Sequence, residues 1–599
     1  MAALSVQPLW TLSISGTETQ PTVLALVRRL RQANTLRTMA YYVGIDVGTG
    51  SARAAVIDDQ GRWKGHCVQP IQTHHPSPTI YEQSSEDIWT KISQAVRTAV
   101  SLAGVTPHDI KGIGFDATCS LVVLDQSSSP QSVDQASGFT DHPWNVILWA
   151  DHRAIDQADR INQTHHSVLQ YVGGTISPEM QIPKTLWLKE NLPRERWDAI
   201  GHLMDLPDYL TWRATDHLAR STCSLTCKFS HLPRGVSTTE GGWDRGYFDL
   251  IGLGCLVDEN WRRLGGRPGH EDDVLHAGDC VGNGLTEQAA MDLGLLPGTP
   301  VGSAVIDAYA GAVATLGASA TKLDHDAMSN RLAIICGTSS CHIAMSPQPL
   351  FVPGVWGPYH SVLLPNMWCA EGGQSSTGQL IDYTLKSHTA YQDALELATK
   401  KNITIYTFLD DHLTTLKQKQ GLAAIDFLTE KLHIYPDFHG NRSPLADPTL
   451  RGAIVGLTLD HGIDDLALRY LATLQSIACQ TRHIVDIMNQ HGYTIDTLCL
   501  SGGLCKNKVF VQLHADVTQC KVILPEEIEG AVVIGAAILG AKAAAGNTSL
   551  WQVMRQLTRA GEEVLPRTDP AIQTLYDKRY RVFGELLKDQ KKYVDIMAP

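Results

Sequence analysis

Two α/β domains are what this chain predicts, on three observations. A strand-like apolar run, a Gly-Thr turn and a second strand-like run occur together twice, with their turns 289 residues apart (337 − 48). Around the two copies, strand-like runs alternate with helical ones, the pattern of α/β folds. At 599 residues, 43% of them hydrophobic, the chain is long enough for two large buried cores; several domains of ordinary size are the alternative.

The first copy reads YYVGIDVGTGSAR from Tyr41 to Arg53, and the second LAIICGTSSCH from Leu332 to His342. Each is a strand, a tight glycine turn and a strand, the signature of a hairpin. Glycine lets the backbone approach a bulky anion, Thr and Ser supply hydroxyl donors, and the turn amides form an anion-binding nest. The predicted cradles are Gly48, Thr49, Ser51 and Arg53 in the first copy and Gly337, Thr338 and Ser339 in the second. Aligning the two turns sets Asp46 opposite Ile335, so the carboxylate is not needed to make the turn and is free to handle a metal. One Gly-Thr turn is ordinary hairpin chemistry; two at domain-scale separation favour nucleotide binding. No Gly-x4-Gly-Lys-Ser/Thr occurs, and Arg53 breaks Gly-x-Gly-x-x-Gly after Gly48, so P-loop and Rossmann readings both recede.

The remaining elements follow in order. Ser85-Glu86-Asp87-Ile88 starts a helix, with acids where the helix dipole favours them. Ile110 to Asp125 is a strand, a polar break and a strand. The first domain spans 41–317, and the polar, mixed stretch 318–330 is a linker. The second domain spans 331–546. Within it Ile463, Leu466, Tyr470, Leu474, Ile477, Ile484 and Ile487 recur at helical spacing, predicting an amphipathic helix that ends near Gly492. Thr497 to Asn507 (TLCLSGGLCKN) is a buried strand, a Ser-Gly-Gly turn and a helix start near Asn507. Paired glycines there permit close approach of a flat or anionic group, and a helix N-terminus favours phosphate or adenosine hydroxyls, which assigns Gly502, Gly503 and Asn507 to the nucleotide. Residues 547–599 read as peripheral helices.

Bulk properties exclude several classes. A net charge of −13 argues against a general nucleic-acid or anionic-membrane binder. The most apolar run, Ala531 to Ala541, is too short to cross a bilayer and ends at Lys542. Thirteen scattered cysteines read as reduced thiols in a cytoplasmic protein, and Cys223-x3-Cys227 lacks the second pair a zinc site needs. The first forty residues hold Arg28, Arg29, Arg31 and Arg37 against the single acid Glu18, which fits a mitochondrial transit peptide. The favoured alternative is an extension over 1–40 that is dispensable or bypassed by a start at Met39, which lies just before the first strand. His74-His75 and His165-His166 fit no ligand spacing and are expected at the surface.

The ordered motifs GIDVGTGSARAA, GFDATCSLVVLD, WADHRA, SPEMQIPKTLWLKEN, SAVIDAYAGA, CGTSS, EGGQSSTG, DFHGNRSP and LSGGLCKN resemble those of the FGGY family of carbohydrate kinases, within the actin-like ATPase fold, from about Tyr41 to Gly546. The Asp-His-Arg and Pro-Lys runs look closest to its ribulokinase branch. The resemblance implies two actin-like (ribonuclease H-like) domains flanking a catalytic cleft, with sugar held mainly by the first and ATP mainly by the second. It further implies ATP and Mg²⁺ as cofactors, and D-ribulose phosphorylated to D-ribulose 5-phosphate. Xylulose, L-ribulose or ribitol as acceptor, or an inactive nucleotide-binding scaffold, are the alternatives. Homo-oligomerisation stays open.

By the same resemblance Asp307 in SAVIDAYAGA is the base, and Asp46 and Asp307 lie next to the metal. Residue chemistry agrees for Asp307, since a lone acid among apolar and small residues is costly to leave idle; capping the helix that follows is the compatible alternative. Ala117, Lys184, Asp307 and Glu371 are the implied sugar contacts. Lys184 precedes an apolar run, so a snorkelling surface lysine is its rival reading, and Glu371 before Gly372-Gly373 is expected at a tight turn. Arg53 either neutralises transferred charge or pairs on the surface. Asp151-His152-Arg153 either lines the cleft or forms an internal ion pair. Gly440 to Pro444 is a loop with no chemistry assigned.

Overall fold

The computed structural model describes residues 39–140, 143–232, 241–318 and 325–598. The extension or transit peptide over residues 1–38 and the middle of the expected linker, 319–324, lie outside the described residues.

Five strands form the first sheet: β1 (Tyr41–Val47), β2 (Ser51–Asp58), β3 (Trp63–Pro70), β4 (Ile110–Ala117) and β5 (Val301–Ile306), in the order β5-β4-β1-β2-β3. β1, β2 and β3 are antiparallel neighbours, whereas β4 and β5 run parallel to β1. The second sheet has seven: β6 (Arg331–Cys336), β7 (Ser340–Ser346), β8 (Trp356–His360), β9 (Trp368–Gln374), β10 (Thr497–Ser501), β11 (Lys521–Pro525) and β12 (Ala560–Val564), in the order β8-β9-β7-β6-β10-β11-β12. There β6, β7 and β9 are antiparallel neighbours, and β10 and β11 run parallel to β6. The run β9-β7-β6-β10-β11 therefore repeats β3-β2-β1-β4-β5 in order and sense. The duplication visible in two turns extends to all five strands of the first sheet and five of the seven in the second.

Helices cover these sheets, and local chemistry sets their ends. α1 (Ser85–Ala103) begins where the Ser84 side chain accepts the Asp87 amide and ends at Gly104 in the left-handed region. α2 (Gln181–Asn191), α3 (Thr222–Lys228) and α4 (Asp307–Leu316) follow in the first half, then α5 (Gly378–Lys386), α6 (Ile463–Gln490), α7 (Lys508–Thr518), α8 (Ala531–Ala545) and α9 (Pro570–Met597). α6 fills the predicted amphipathic stretch.

Two helices pack across the sequence halves. α8 belongs to the second half but lies on the first sheet. A Cβ on Gly44, Gly112 or Gly114 would fall 1.9–2.1 Å from the α8 carbonyls of Val533, Gly540 and Ala536, so only glycine strands admit it so closely. α4, from the first half, packs on β6, where a Cβ on Gly311 would stand 2.5 Å from Ile335. The two helices cross at Gly535, whose Cβ would lie 1.9 Å from the Ala310 carbonyl. This explains why Ala531 to Ala541 is apolar all round: it is buried on several sides. No helix among the described residues is long and apolar enough to cross a membrane.

The C-terminal segment departs from expectation. Ala560–Val564 is not helical but pairs antiparallel with β11 as the edge of the second sheet, and Trp551, Met554, Tyr576 and Phe583 are buried. The run AGEEV carries no alternating apolar signal, because as an exposed edge strand it buries neither face.

Candidate active site

Three carboxylates gather where neighbouring parallel strands end. Asp46 of β1 stands opposite Asp116 of β4, and Val305 of β5 stands opposite Asp116 two residues before Asp307. Asp307 is the first residue of α4, its Oδ1 accepting the Ala308 amide at 2.7 Å; the cap position itself is Ile306. Burial, reinforced by Asp46, pushes the Asp307 carboxyl up to about 6. Asp46 is buried and raised for the same reason, although Arg53 donates Nη1 to its Oδ2 at 3.0 Å. Asp116 is fully buried, and burial followed by repulsion from Asp46 and Asp307 holds it well above the carboxylate range. Its carboxyl meets that of Asp46, and among the described residues neither of its oxygens receives an N–H or hydroxyl donor. A set of buried carboxylates that raise one another's pKa and, among the described residues, lack cationic donors apart from Arg53 fits a hard divalent cation. Asp116 was not assigned by sequence, although its signal, an acid inside the apolar run of GFDATC, equals that of Asp46. Arg53, half-exposed, is the partner of Asp46.

Both predicted turns form. Gly48 donates its amide to the Ser51 carbonyl at 3.0 Å, and Gly337 to Ser339 at 2.9 Å. Thr49, Gly337 and Thr338 are exposed. Side chains the sequence reading passed over steady the first turn: Gln83 donates to the Thr49 carbonyl at 2.7 Å, and the Trp149 indole to the Thr49 hydroxyl at 2.9 Å. The second turn rests on the start of α5, whose Gly378 amide donates to the Gly337 carbonyl at 3.1 Å.

The Ser-Gly-Gly turn divides its glycines by role. Gly502, at φ 98°, is required by conformation and by packing, since a Cβ there would lie 2.3 Å from the Cys336 carbonyl. Gly503 faces open space. Asn507 is the cap of α7, accepting the Phe510 amide at 2.8 Å and donating to Asp410 at 3.0 Å and the Tyr470 hydroxyl at 2.6 Å. Its two carboxamide hydrogens are thus spent within the protein.

On the acceptor side, Glu371 is not at a tight turn. It lies in the interior of β9, buried, because Gly372 and Gly373 occupy strand positions. Its Oε1 takes Arg442 Nη2 at 2.6 Å, and its Oε2 receives the Tyr309 hydroxyl at 3.3 Å and faces Lys228 Nζ at 3.9 Å. Arg442 and Lys228 both lie over the Trp356 ring, at 4.5 and 4.7 Å from its centre. The loop 440–444, given no chemistry by sequence, therefore supplies a site residue. Burial by itself would lower the Lys228 ammonium, but Cys119 and Glu371 hold it charged, well above its usual range. Lys228 Nζ makes no hydrogen bond among the described residues, so its donors stay available. Lys184 is not a surface lysine: fully buried, it donates to the carbonyls of Leu148 at 2.7 Å and Glu179 at 3.2 Å, and burial pulls it down to about 8. Ala117 is fully covered at the end of β4 and presents no exposed group. Asp151 and Arg153 form an internal ion pair, Nη2 to Oδ2 at 2.7 Å, joined by Glu82.

Two copies of an anion-cradling turn on two duplicated sheets, with acids and buried cations at their junction, make the arrangement of a phosphotransferase. The FGGY family of carbohydrate kinases matches through its N-terminal domain over residues 41–314 and its C-terminal domain over 332–544. The chain belongs to that family and is a kinase that phosphorylates a carbohydrate from ATP. It is 48% identical to the FGGY carbohydrate kinase domain-containing protein of Homo sapiens over 561 residues, 93% of this chain and 98% of that protein. It is 41% identical to a D-ribulokinase of Saccharomyces cerevisiae over 515 residues, 84% of this chain and 72% of that protein. The ligand-bound xylulose kinase from Lactobacillus acidophilus shares the fold, with a TM-score of 0.72 over 92% of this chain and 100% of that one, at 18% identity.

Proposed function

We propose that this kinase phosphorylates D-ribulose to D-ribulose 5-phosphate, using ATP with Mg²⁺. The observation that carries the choice of sugar is the 41% identity to the yeast D-ribulokinase. The site supports the chemistry. Asp307, held by the Ala308 amide and titrating near 6, is largely ionised at neutral pH and accepts the proton of the attacking hydroxyl. The turns at Gly48–Ser51 and Gly337–Ser339 offer amides and hydroxyls to the phosphates, and Gly503 leaves room for the nucleoside. Asp46 and Asp116, with Asp307 beside them, would hold Mg²⁺, which when bound offsets phosphate charge. Lys228, Glu371 and Arg442 orient the sugar from the second sheet's side, a role the sequence reading gave to Lys184. Lys184 instead braces the Leu148 and Glu179 backbone.

An ADP-release assay against D-ribulose, D-xylulose, L-ribulose and ribitol tests the reading. D-ribulose should show the highest kcat/KM. A higher value for another acceptor reassigns the substrate, and no turnover of any of them moves the acceptor outside this set of pentuloses and pentitols. Cytoplasmic residence belongs to the same proposal and is tested by imaging the full chain fused to a fluorescent protein.

A further inference from the structure

A second acid cluster sits apart from the kinase site. His74 and Glu82 are cross-strand partners in the hairpin formed by His74–Ser77 and Ile80–Gln83, so both side chains leave one face. Asp134 approaches that face from a neighbouring loop, and one donor atom of each residue lies within 4.8 Å of the other two. Contrary to the surface position expected of it, His74 is half-buried and stacks flat on Trp144, ring centres 5.1 Å apart at 5°, which fixes where Nε2 points.

Hydrogen bonding does not account for these groups. Glu82 is fully buried; its Oε1 takes Arg153 Nη2 at 2.7 Å, but its Oε2 has no hydrogen-bond partner among the described residues. His74 Nε2 is also buried without a hydrogen-bond partner among the described residues, and its 4.0 Å separation from Asp134 Oδ1 is too long for a hydrogen bond. Arg153 is shared with both oxygens of Asp151, at 2.8 and 2.7 Å, so its charge is already divided between two acids. Asp134 Oδ1 accepts the Ala136 amide at 3.0 Å. Among the described residues, an imidazole nitrogen and two carboxylates are thus left around one point with Arg153 as the charged donor they share with Asp151. Donors of a tetrahedral ion with bonds near 2.0–2.1 Å stand about 3.4 Å apart, so donor pairs at the 4.8 Å limit need to close by about 1.4 Å (4.8 − 3.4).

We propose that His74, Glu82 and Asp134 form a site for a borderline divalent cation of the Zn²⁺ class, with water completing the shell. The imidazole argues for Zn²⁺ over Mg²⁺, which prefers all-oxygen sets. The site would pin the loop bearing Asp134 to the hairpin whose Gln83 holds the Thr49 carbonyl, so the ion steadies the first phosphate turn from behind.

The test uses the full chain stripped by chelator, with excess Mg²⁺ present to occupy the acids at the ends of β1, β4 and β5. Zn²⁺ uptake is followed by calorimetry, Co²⁺ by its visible spectrum, and Tm is read with and without Zn²⁺. The wild type should bind one equivalent, show Co²⁺ bands without thiolate charge transfer, and melt about 2 °C or more higher when loaded. His74→Gln and Asp134→Asn should each lose at least about tenfold in affinity and lose the Tm gain. If either fails to fold, the other variant and the Co²⁺ spectrum decide. No uptake by the wild type, equal uptake by both variants, thiolate bands, or displacement by millimolar Mg²⁺ would each overturn the site.

Discussion

Asp307→Asn separates activity and stability in a way the structure fixes in sign. The substitution keeps the shape and an acceptor for the Ala308 amide but removes the base, so kcat should fall about 10²–10⁴-fold. With the wild-type carboxyl at about 6, its ionised fraction falls about tenfold from pH 7 to pH 5, and kcat/KM should fall with it. The stability effect runs the other way. Asp307 titrates near 6 in the fold against 3.8 ordinarily, so the folded state binds the extra proton between those values. Its contribution to stability therefore declines as pH rises from about 4 through 6, by at most about 3 kcal/mol. The Asn variant escapes that decline and should melt no lower than wild type at pH 7.5, while Asp46 and Asp116 keep part of the slope. Phosphorus NMR of product formation from pH 5 to 8 and thermal melts over the same range read both effects. A variant retaining more than about a tenth of wild-type kcat, or one keeping the acid limb near pH 6, would refute the assignment and move the base to Asp116.

Three other outcomes follow from particular contacts. Lys228→Met should raise the sugar KM or lower kcat/KM about ten- to a hundredfold with ATP affinity nearly unchanged, whereas Lys184→Met should act mainly through Tm; the reverse pattern in steady-state kinetics would restore Lys184 as the sugar contact. Glu371→Gln leaves Arg442 and Lys228 facing a neutral group, so denaturant unfolding should show a loss of about 1.5–3 kcal/mol together with weaker sugar use; unchanged stability would mean the two cations find other partners. A chain started at Met39 should keep activity and Tm, because β1 begins at Tyr41, and mitochondrial import of a reporter carrying residues 1–38 would instead support the transit-peptide reading.

What the sequence could disclose follows the range of the interactions involved. The hairpins were legible because a turn is a local event: four residues specify both its backbone and its donors. Duplication of the whole sheet was legible only at those turns, since β9 and β10 join β7 and β6 through pairings over long separations that no local pattern announces. The acceptor side was hardest. Lys184 and Lys228 both precede or interrupt apolar stretches, and nothing local separates a lysine bound to carbonyls from one facing Glu371 across a sheet junction. Glu371 looked like a turn because Gly-Gly ordinarily breaks strands, yet in β9 a Cβ on Gly373 would stand 2.9 Å from the Ser340 carbonyl and 3.0 Å from Arg442. The glycine that misled the local reading is thus part of what lets Arg442 reach Glu371. The exchanged helices make the same point from the other side. Ala531 to Ala541 is apolar all round, and Gly44, Gly112 and Gly114 lack side chains, because each feature answers the other across more than four hundred residues, with Val533 against Gly44 (533 − 44 = 489) the longest of these contacts. A run that read only as too short for a membrane is the element that joins the second half of the chain to the sheet carrying Asp46 and Asp116.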